Sequence, residues 1–355
     1  MSLLEDVSSR TSMFLLFNNM YSTLRKISSL KTICLLSDSD PSKIDEMLSL
    51  RKKVRRLYEI EISSIERDLY HLRLKKDILG RIVQGDLLID ASYPGAWIVL
   101  TTEKRYFVRH VAESFFNALY PSVSRVFLNS QHILRLLESI REAYKGQSVV
   151  NFFAIKHQAR RGTITVWLPD AEPELRKFSR DYKVWIDRLA FEVSTPDKVM
   201  LKASISRRGL SRLRFGSFDE FHKNVIVAVL DFSFRRKHFY ARREYRVENG
   251  NIILTPFYIK YPFEFGKEYF RPITNWLGRD YSISITHGSN PYFAAQLCDY
   301  RDGSAFGLTI LGHLITITPL LRANPHSLMR LSNRIQEFAG EGIIADYLTH
   351  EPEAP

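Results

Sequence analysis

The spacing of apolar residues changes at about Ser148, and this change constrains the fold more than any other feature of the chain. Before it, apolar side chains recur every three or four residues, which is typical of amphipathic helices. After it, short β-branched and aromatic runs are separated by tight turns, which is typical of antiparallel strands. The sequence therefore predicts an α+β protein. Residues 1–148 form a helical domain, 149–346 form a mainly antiparallel sheet with packed helices, and 347–355 form a disordered tail.

One long amphipathic pattern dominates the first half. Residues 43–81 predict a single helix, because Tyr58, Ile62 and Ile65 begin a run of four- and three-residue steps. A helix of that length would be about 60 Å long. Its apolar stripe is either the inner face of an intramolecular bundle or the seam of a coiled coil, and a seam would make 43–81 a surface for self-association or for a protein partner. Other helices are predicted over residues 1–36, 103–119 and 128–145.

The second half predicts short strands, a hairpin and three helices. Strands are predicted over residues 149–155, 163–168, 199–206, 281–286, 293–300, 306–311 and 314–319. A hairpin over 244–260 turns at the Asn-Gly pair between Glu248 and Asn251. Helices are predicted over residues 173–191, 267–277 and 327–339. Residues 218–243 are ambiguous, because their apolar spacing suits a helix while their centre is rich in β-branched residues.

Composition narrows the class of protein. Hydrophobic residues make up 45% and charged residues 25% of the chain, which is close to the average of folded proteins and excludes a disordered or fibrous chain. No apolar run approaches the ~20 residues that a membrane-spanning helix needs. The two cysteines, Cys34 and Cys298, lie far apart in the sequence, which favours a reducing compartment. We therefore expect a soluble intracellular protein that does not associate with membranes.

Positive charge is concentrated in the middle of the chain. Residues 151–246 carry 21 basic and 11 acidic side chains, and arginine, which binds phosphate through a planar fork, outnumbers lysine there. The first basic cluster consists of Arg207, Arg208, Arg212 and Arg214. The second basic cluster consists of Arg235, Arg236, Lys237, His238, Tyr240, Arg242, Arg243 and Arg246, and further aromatic residues are interleaved with it.

Cations that neutralise phosphates, placed beside rings that stack on bases, are typical of a surface that binds nucleic acid. The two basic clusters therefore predict a non-enzymatic nucleic-acid-binding protein, a subunit of a larger complex, with RNA and DNA both open as ligands. The alternatives are a solvated basic face, arginines paired with acidic residues elsewhere in the fold, or an acidic protein partner. No cofactor is expected, because the P-loop, dinucleotide-binding, nucleophile-elbow and zinc-binding motifs are missing from the sequence.

Two weaker patterns keep a nuclease open as the alternative. Arg105 and His110 have the Arg-x4-His spacing, and Arg125 and His132 have a similar one. This pattern resembles the Arg-x4–6-His motif of HEPN-type ribonucleases. That resemblance implies a metal-independent reaction in which the histidine acts as acid–base catalyst and the arginine stabilises charge on the phosphorus. Tyr106 departs from the polar residue that is usual after the arginine in that family.

The second pattern is a pair of carboxylates near a histidine. Asp299 and Asp302, with His287 upstream, could hold a divalent cation as metal-dependent nucleases do. The simpler interpretation is a hairpin turn, since Asp302 precedes Gly303 between two predicted strands. No metal site is therefore expected, and chelation would distinguish the two nuclease mechanisms.

Overall fold

The computed structural model describes residues 4, 6–23, 29–49, 51–159, 162–169, 184–243, 245–248, 251–289, 291–320 and 322–346. The chain divides into two compact units. Unit 1 comprises Met1–Ala154, Trp167–Asp170 and Ile186–Asp231. Unit 2 comprises Ile155–Val166, Ala171–Trp185 and Phe232–Pro355. Within the described residues, no helix is both long and apolar enough to cross a membrane.

Eleven strands form the larger sheet. They are β1 (Leu30–Leu36), β2 (Tyr58–Glu66), β3 (Leu69–Ile78), β4 (Arg81–Asp90), β5 (Ala96–Thr101), β6 (Ser124–Arg125), β7 (Ser148–Ala159), β8 (Gly162–Pro169), β9 (Val184–Ser194), β10 (Val199–Ser206) and β11 (Leu210–Gly216). The sheet order is β2-β3-β4-β5-β1-β11-β10-β9-β7-β8, and β6 pairs with β1. Every pair from β2 across to β9 is antiparallel.

Along the chain, helices of unit 1 lie before, between and after the strands of this sheet. They are Arg10–Thr23, a 3-10 turn at Pro41–Lys43, Ile44–Ser49, Lys52–Arg55, a segment made of Arg105–Phe107, the π-helical turn Val108–Ala112 and Glu113–Ala118, and Ser130–Ala143. A last helical segment consists of Phe218–Phe221, the π-helical turn His222–Ile226 and Val227–Ala241. It begins in unit 1 and passes into unit 2 after Asp231, and it makes the ambiguous region 218–243 helical up to Ala241. One apolar core joins Ile33, Leu87 and Val99 of the sheet to Val111 and Phe115 of the helix that follows β5.

The predicted helical N-terminal domain, with its long amphipathic helix, is wrong: the protein is mostly β-sheet. In place of one helix over 43–81 the structure has the short helices Ile44–Ser49 and Lys52–Arg55, followed by β2 and β3, which pair as a hairpin. Residues four apart share a face in a strand as well as in a helix, so the four-residue steps did not distinguish the two structures. Alternation of Tyr58, Ile60 and Ile62 with glutamates was the stronger signal, and Asp68 makes the turn with a φ of 61°. A coiled-coil seam over 43–81 therefore lacks the continuous helix that it needs among the described residues.

The prediction of one helix over residues 1–36 is also wrong in its second part. The helix Arg10–Thr23 is present, but Leu30–Leu36 forms β1, in which every residue is buried. A strand covered on both faces is apolar without alternation, and its sequence therefore looks like that of a buried helix. The helices predicted over 103–119 and 128–145 are confirmed with slightly shorter bounds.

Unit 2 contains a second antiparallel sheet. Its strands are β14 (Phe257–Lys260), β15 (Tyr281–Ser289), β16 (Tyr292–Asp299), β17 (Ala305–Leu311), β18 (Leu314–Pro319) and β19 (Ile343–Asp346), in the order β15-β16-β17-β18-β14-β19. The helices Lys267–Leu277 and Pro325–Ala339 are linked by a hydrogen bond from Trp276 Nε1 to the Arg334 carbonyl oxygen, 3.0 Å long. The strands and both helices predicted over 267–339 are confirmed.

Two further predictions in the second half have different outcomes. The hairpin predicted over 244–260 is confirmed in its first part, since β12 (Tyr245–Glu248) pairs with β13 (Asn251–Leu254) and Glu248 lies opposite Asn251. The last four residues of that range form β14 of the six-stranded sheet. The helix predicted over 173–191 is wrong in its described part, because residues from Val184 onward form β9. The remainder of that prediction, residues 173–183, and the tail over 347–355 lie outside the described residues.

Candidate nucleic-acid interface

Strands β9, β10 and β11 have one covered face and one polar face. Leu189, Ile205 and Leu213 alternate with polar residues along the three strands and are completely buried. The polar side chains between them point to the other side of the sheet, since successive side chains of a strand point to opposite faces. We call that side the open face; it carries Arg188, Lys202, Ser204, Ser206, Arg212 and Phe215.

Strand β1 extends the open face by one lysine. Lys31 lies directly opposite Arg212 in the antiparallel pair of β1 and β11, so the two side chains share a face. Lys31 is 3% exposed, and its Nζ donates a hydrogen bond to the Ser29 carbonyl oxygen, 3.0 Å away. Burial and the nearby charge of Arg212 lower the pKa of Lys31 to about 8, and Glu103 acts in the opposite direction.

Arg212 is the centre of a group of mutually repelling cations. Its pKa is lowered first by burial and then by the charges of Arg214, Arg188 and Arg105. We call Lys31, Arg105, Arg188, Arg212 and Arg214 the cation site. Within the part of the chain that the structure describes, none of the four arginines forms an ion pair with a carboxylate. Since like charges in proximity disfavour one another, this arrangement is poised to gain from a bound anion.

Glu103 is the acidic residue whose charge acts on this site. Its own pKa is raised, first by burial and then by the negative charge of Asp86, while Lys31 acts in the opposite direction. Gly85 makes room for it, because a Cβ atom at Gly85 would lie 2.8 Å from the Glu103 Cγ atom. The carboxyl group is thus held beside Lys31 by packing, and the site keeps a strong excess of positive charge.

The first basic cluster is divided by the structure. Arg212 and Arg214 belong to the cation site. Arg207 is 3% exposed, and its guanidinium lies 4.4 Å from the centre of the Phe127 ring, a packing role inside unit 1. Arg208 is exposed, and its charge lowers the pKa of Arg125, in which burial is the larger cause.

Three members of the second basic cluster lie inside unit 2. Arg236 is 1% exposed, and its Nη2 donates to Asn333 Oδ1 at 3.0 Å. The Tyr240 hydroxyl is also buried and donates to Ser332 Oγ at 2.8 Å. Arg243 is buried with its guanidinium 4.3 Å from the centre of the Phe239 ring. Arg236 and Tyr240 belong to the helix Val227–Ala241 and Arg243 follows its end, and the burial and contacts of these side chains give them a structural role.

Three further members of the second basic cluster are exposed. They are Arg235, His238 and Arg242, and Arg242 Nη2 lies 2.9 Å from His238 Nε2. Lys237 is half-buried. Arg246 belongs to β12, and its side chain lies outside the described residues. This exposed group stays a predicted nucleic-acid surface, and it is the natural comparison for the cation site.

The pattern that resembles HEPN-type ribonucleases is divided between two environments. Arg105 begins the helix after β5 and belongs to the cation site. His110 lies in the π-helical turn, is exposed, and has its ring centre 4.6 Å from that of Tyr106. His132 is buried, and its Nδ1 accepts a hydrogen bond from the Asn129 backbone, so it belongs to a helix cap. No described contact joins Arg105 to His110.

The carboxylates proposed for a metal have structural partners. Asp299 is buried, forms an ion pair with Arg330 and accepts a hydrogen bond from the Arg301 backbone at 2.9 Å. Burial is the main cause that raises its pKa. Asp302 accepts hydrogen bonds from Ser304 and Asn324, at 2.9 and 2.7 Å, and from Ser327. Among the described residues no group of three potential metal ligands comes together.

Sequence reasoning missed Lys31 and Arg188 as members of the site. Lys31 carried a usable signal, because it is the one charged residue in the strand Leu30–Leu36, where five of the other six residues are apolar, and a buried charge needs a partner. Arg188 lay inside a segment predicted to be helical. The sequence matches no protein-family model and no curated protein.

Proposed function

We propose that the protein binds nucleic acid through the cation site of unit 1. The observation that supports the proposal is the grouping of Arg105, Arg188 and Arg214 around Arg212, next to the buried Lys31, with no ion pair between these arginines and a carboxylate among the described residues. Bringing these charges together costs free energy in the free protein, and a polyanion would recover that energy on binding.

Small residues separate the cations on the open face. Ser204 lies between Arg212 and Ala190 on the neighbouring strands, and Ser206 lies opposite Arg188. A phosphate backbone that crosses these strands would meet more than one guanidinium group. Arginine suits such contacts because its planar fork makes two parallel hydrogen bonds to one phosphate.

Fluorescence anisotropy with labelled single- and double-stranded RNA and DNA tests the proposal. The key variant removes Arg212 and Arg214 (R212A/R214A), and the matched control removes two exposed arginines of the second basic cluster (R235A/R242A). Five phosphate contacts predict that log K falls with log salt with a slope of about −3.5 on a single strand, or about −4.5 on a duplex. R212A/R214A should bind more weakly and flatten that slope by about 1.4 to 1.8.

Each result has a definite meaning. Loss of binding in R235A/R242A with unchanged binding in R212A/R214A would transfer the interface to the second basic cluster and refute the proposal. Absence of salt-sensitive binding by the unaltered protein would refute it as well. The same samples, run on a denaturing gel with and without a chelator, test the alternative of a nuclease, for which cleaved strands are required.

A further inference from the structure

A β-bulge places an aromatic ring beside the cation site. In the pair of β10 and β11, Ala203 lies opposite Leu213, but the next residue of β10, Lys202, lies opposite Phe215. Arg214 is therefore the extra residue of the bulge. Without it Phe215 would point to the covered face with Leu213, whereas the bulge turns its side chain to the face of Arg212.

The Phe215 ring is well exposed for its residue type. Its exposed fraction is 43%, whereas phenylalanine is usually buried in folded proteins. Lys202 opposite Phe215 is held by an ion pair to Glu192, 2.6 Å long. Glu192 of β9 lies directly opposite Lys202 of β10. The row formed by Glu192, Lys202 and Phe215 is therefore neutral and aromatic, whereas the row of Lys31 and Arg212 is cationic.

Gly216 fixes the backbone directly after the ring. Its φ of 106° lies in a region that favours glycine, and a Cβ atom there would lie 2.2 Å from the Met200 carbonyl oxygen. Glycine therefore permits the close approach of the two strands next to the bulge. Phe215 belongs to β11 and not to a loop.

We infer that the ligand of the cation site is a single-stranded nucleic acid, and that one of its bases stacks on Phe215. The inference rests on the proposed function. Bases of a duplex are already stacked on one another, while an unpaired base offers a free face to an aromatic side chain. The cationic row then holds the phosphates, and the neighbouring aromatic row holds the base.

The test compares Phe215→Leu with Phe215→Tyr. Leucine keeps an apolar side chain without a π face, and tyrosine keeps the ring. Binding of a single-stranded oligonucleotide that contains 2-aminopurine is followed by the fluorescence of this base, which stacking quenches. Binding of a duplex of the same sequence is measured by anisotropy. We expect F215L to weaken single-strand binding about tenfold and to abolish the quenching. F215Y should restore both, and all variants should unfold at the same temperature.

Two outcomes separate the inference from the proposed function. If F215L binds single strands as well as the unaltered protein does while R212A/R214A does not bind, the cation site is correct and the stacking role of Phe215 is refuted. Tighter binding of the duplex than of the single strand would refute the inference in the same way. If neither variant changes binding, the proposed function itself fails.

Discussion

From the lowered pKa of Lys31 we expect the proposed nucleic-acid binding to depend on pH in a way that identifies this residue. In the free protein the pKa of Lys31 is about 8, and its ordinary value is 10.5. A phosphate bound at Arg212 adds a negative charge beside Lys31 and thus raises the pKa of the lysine in the complex. Above about pH 8 the complex then binds more protons than the free protein, so affinity must fall as pH rises.

The size of the effect follows from the pKa of the free protein. If the complex keeps Lys31 charged, affinity should fall about tenfold between pH 7 and pH 9. Oligodeoxyadenylate is the suitable ligand, because adenine does not titrate in this range. Two variants isolate the lysine. K31R keeps a charge at every pH and should bind tightly with no pH dependence in this range, and K31M should bind weakly with none.

Anisotropy titrations at several pH values and constant ionic strength make the measurement. An equal fall in affinity for the unaltered protein and for K31M would refute the reasoning, because another group would then be titrating. Thermal unfolding gives an independent check, because protein stability should rise with pH while affinity for the ligand falls. Since the pKa of Lys31 is lowered by folding, the unfolded chain holds the proton more tightly, and the contribution of Lys31 to stability should rise from about pH 8 to 10.5.

Two predictions concern the fold itself. Adjacent arginines of the second basic cluster should behave differently: R236A should cost about 2–3 kcal/mol because it removes a buried, hydrogen-bonded side chain, whereas R235A should change stability by less than about 0.5 kcal/mol. Urea unfolding measures both, and equal effects would contradict the described burial. G216A should lower the unfolding temperature, because its Cβ atom would clash with the carbonyl oxygen of the neighbouring strand; an unchanged temperature would show that the bulge tolerates a side chain.

Local sequence signals predicted the correct structure where they were compatible with only one kind of secondary structure. The hairpin at Glu248–Asn251 followed from its Asn-Gly turn, and the helix Pro325–Ala339 from its spacing and from the Asn324 cap. They failed for residues 43–81, where steps of four residues suit a helix and a strand equally. They failed for β1 because a strand buried on both faces shows no alternation.

The candidate site could be predicted only in part. Arg212 and Arg214 were recognised by composition, but so were Arg207 and Arg236, which are buried. Neighbours on a helix point in directions about 100° apart, so Arg235 and Arg236 have opposite environments although the sequence gives them the same chemistry. Burial is a property of what packs against a residue, and that information is not local.

The sequence by itself determined that positive charge is concentrated between residues 151 and 246, that arginine dominates it, and that the second half contains short antiparallel strands. Only the tertiary structure decided which charges meet. Lys31 and Arg212 are far apart in the chain and become neighbours through the register of β1 and β11. A one-residue bulge puts Phe215 on their face, because side chains of a strand alternate between its two sides.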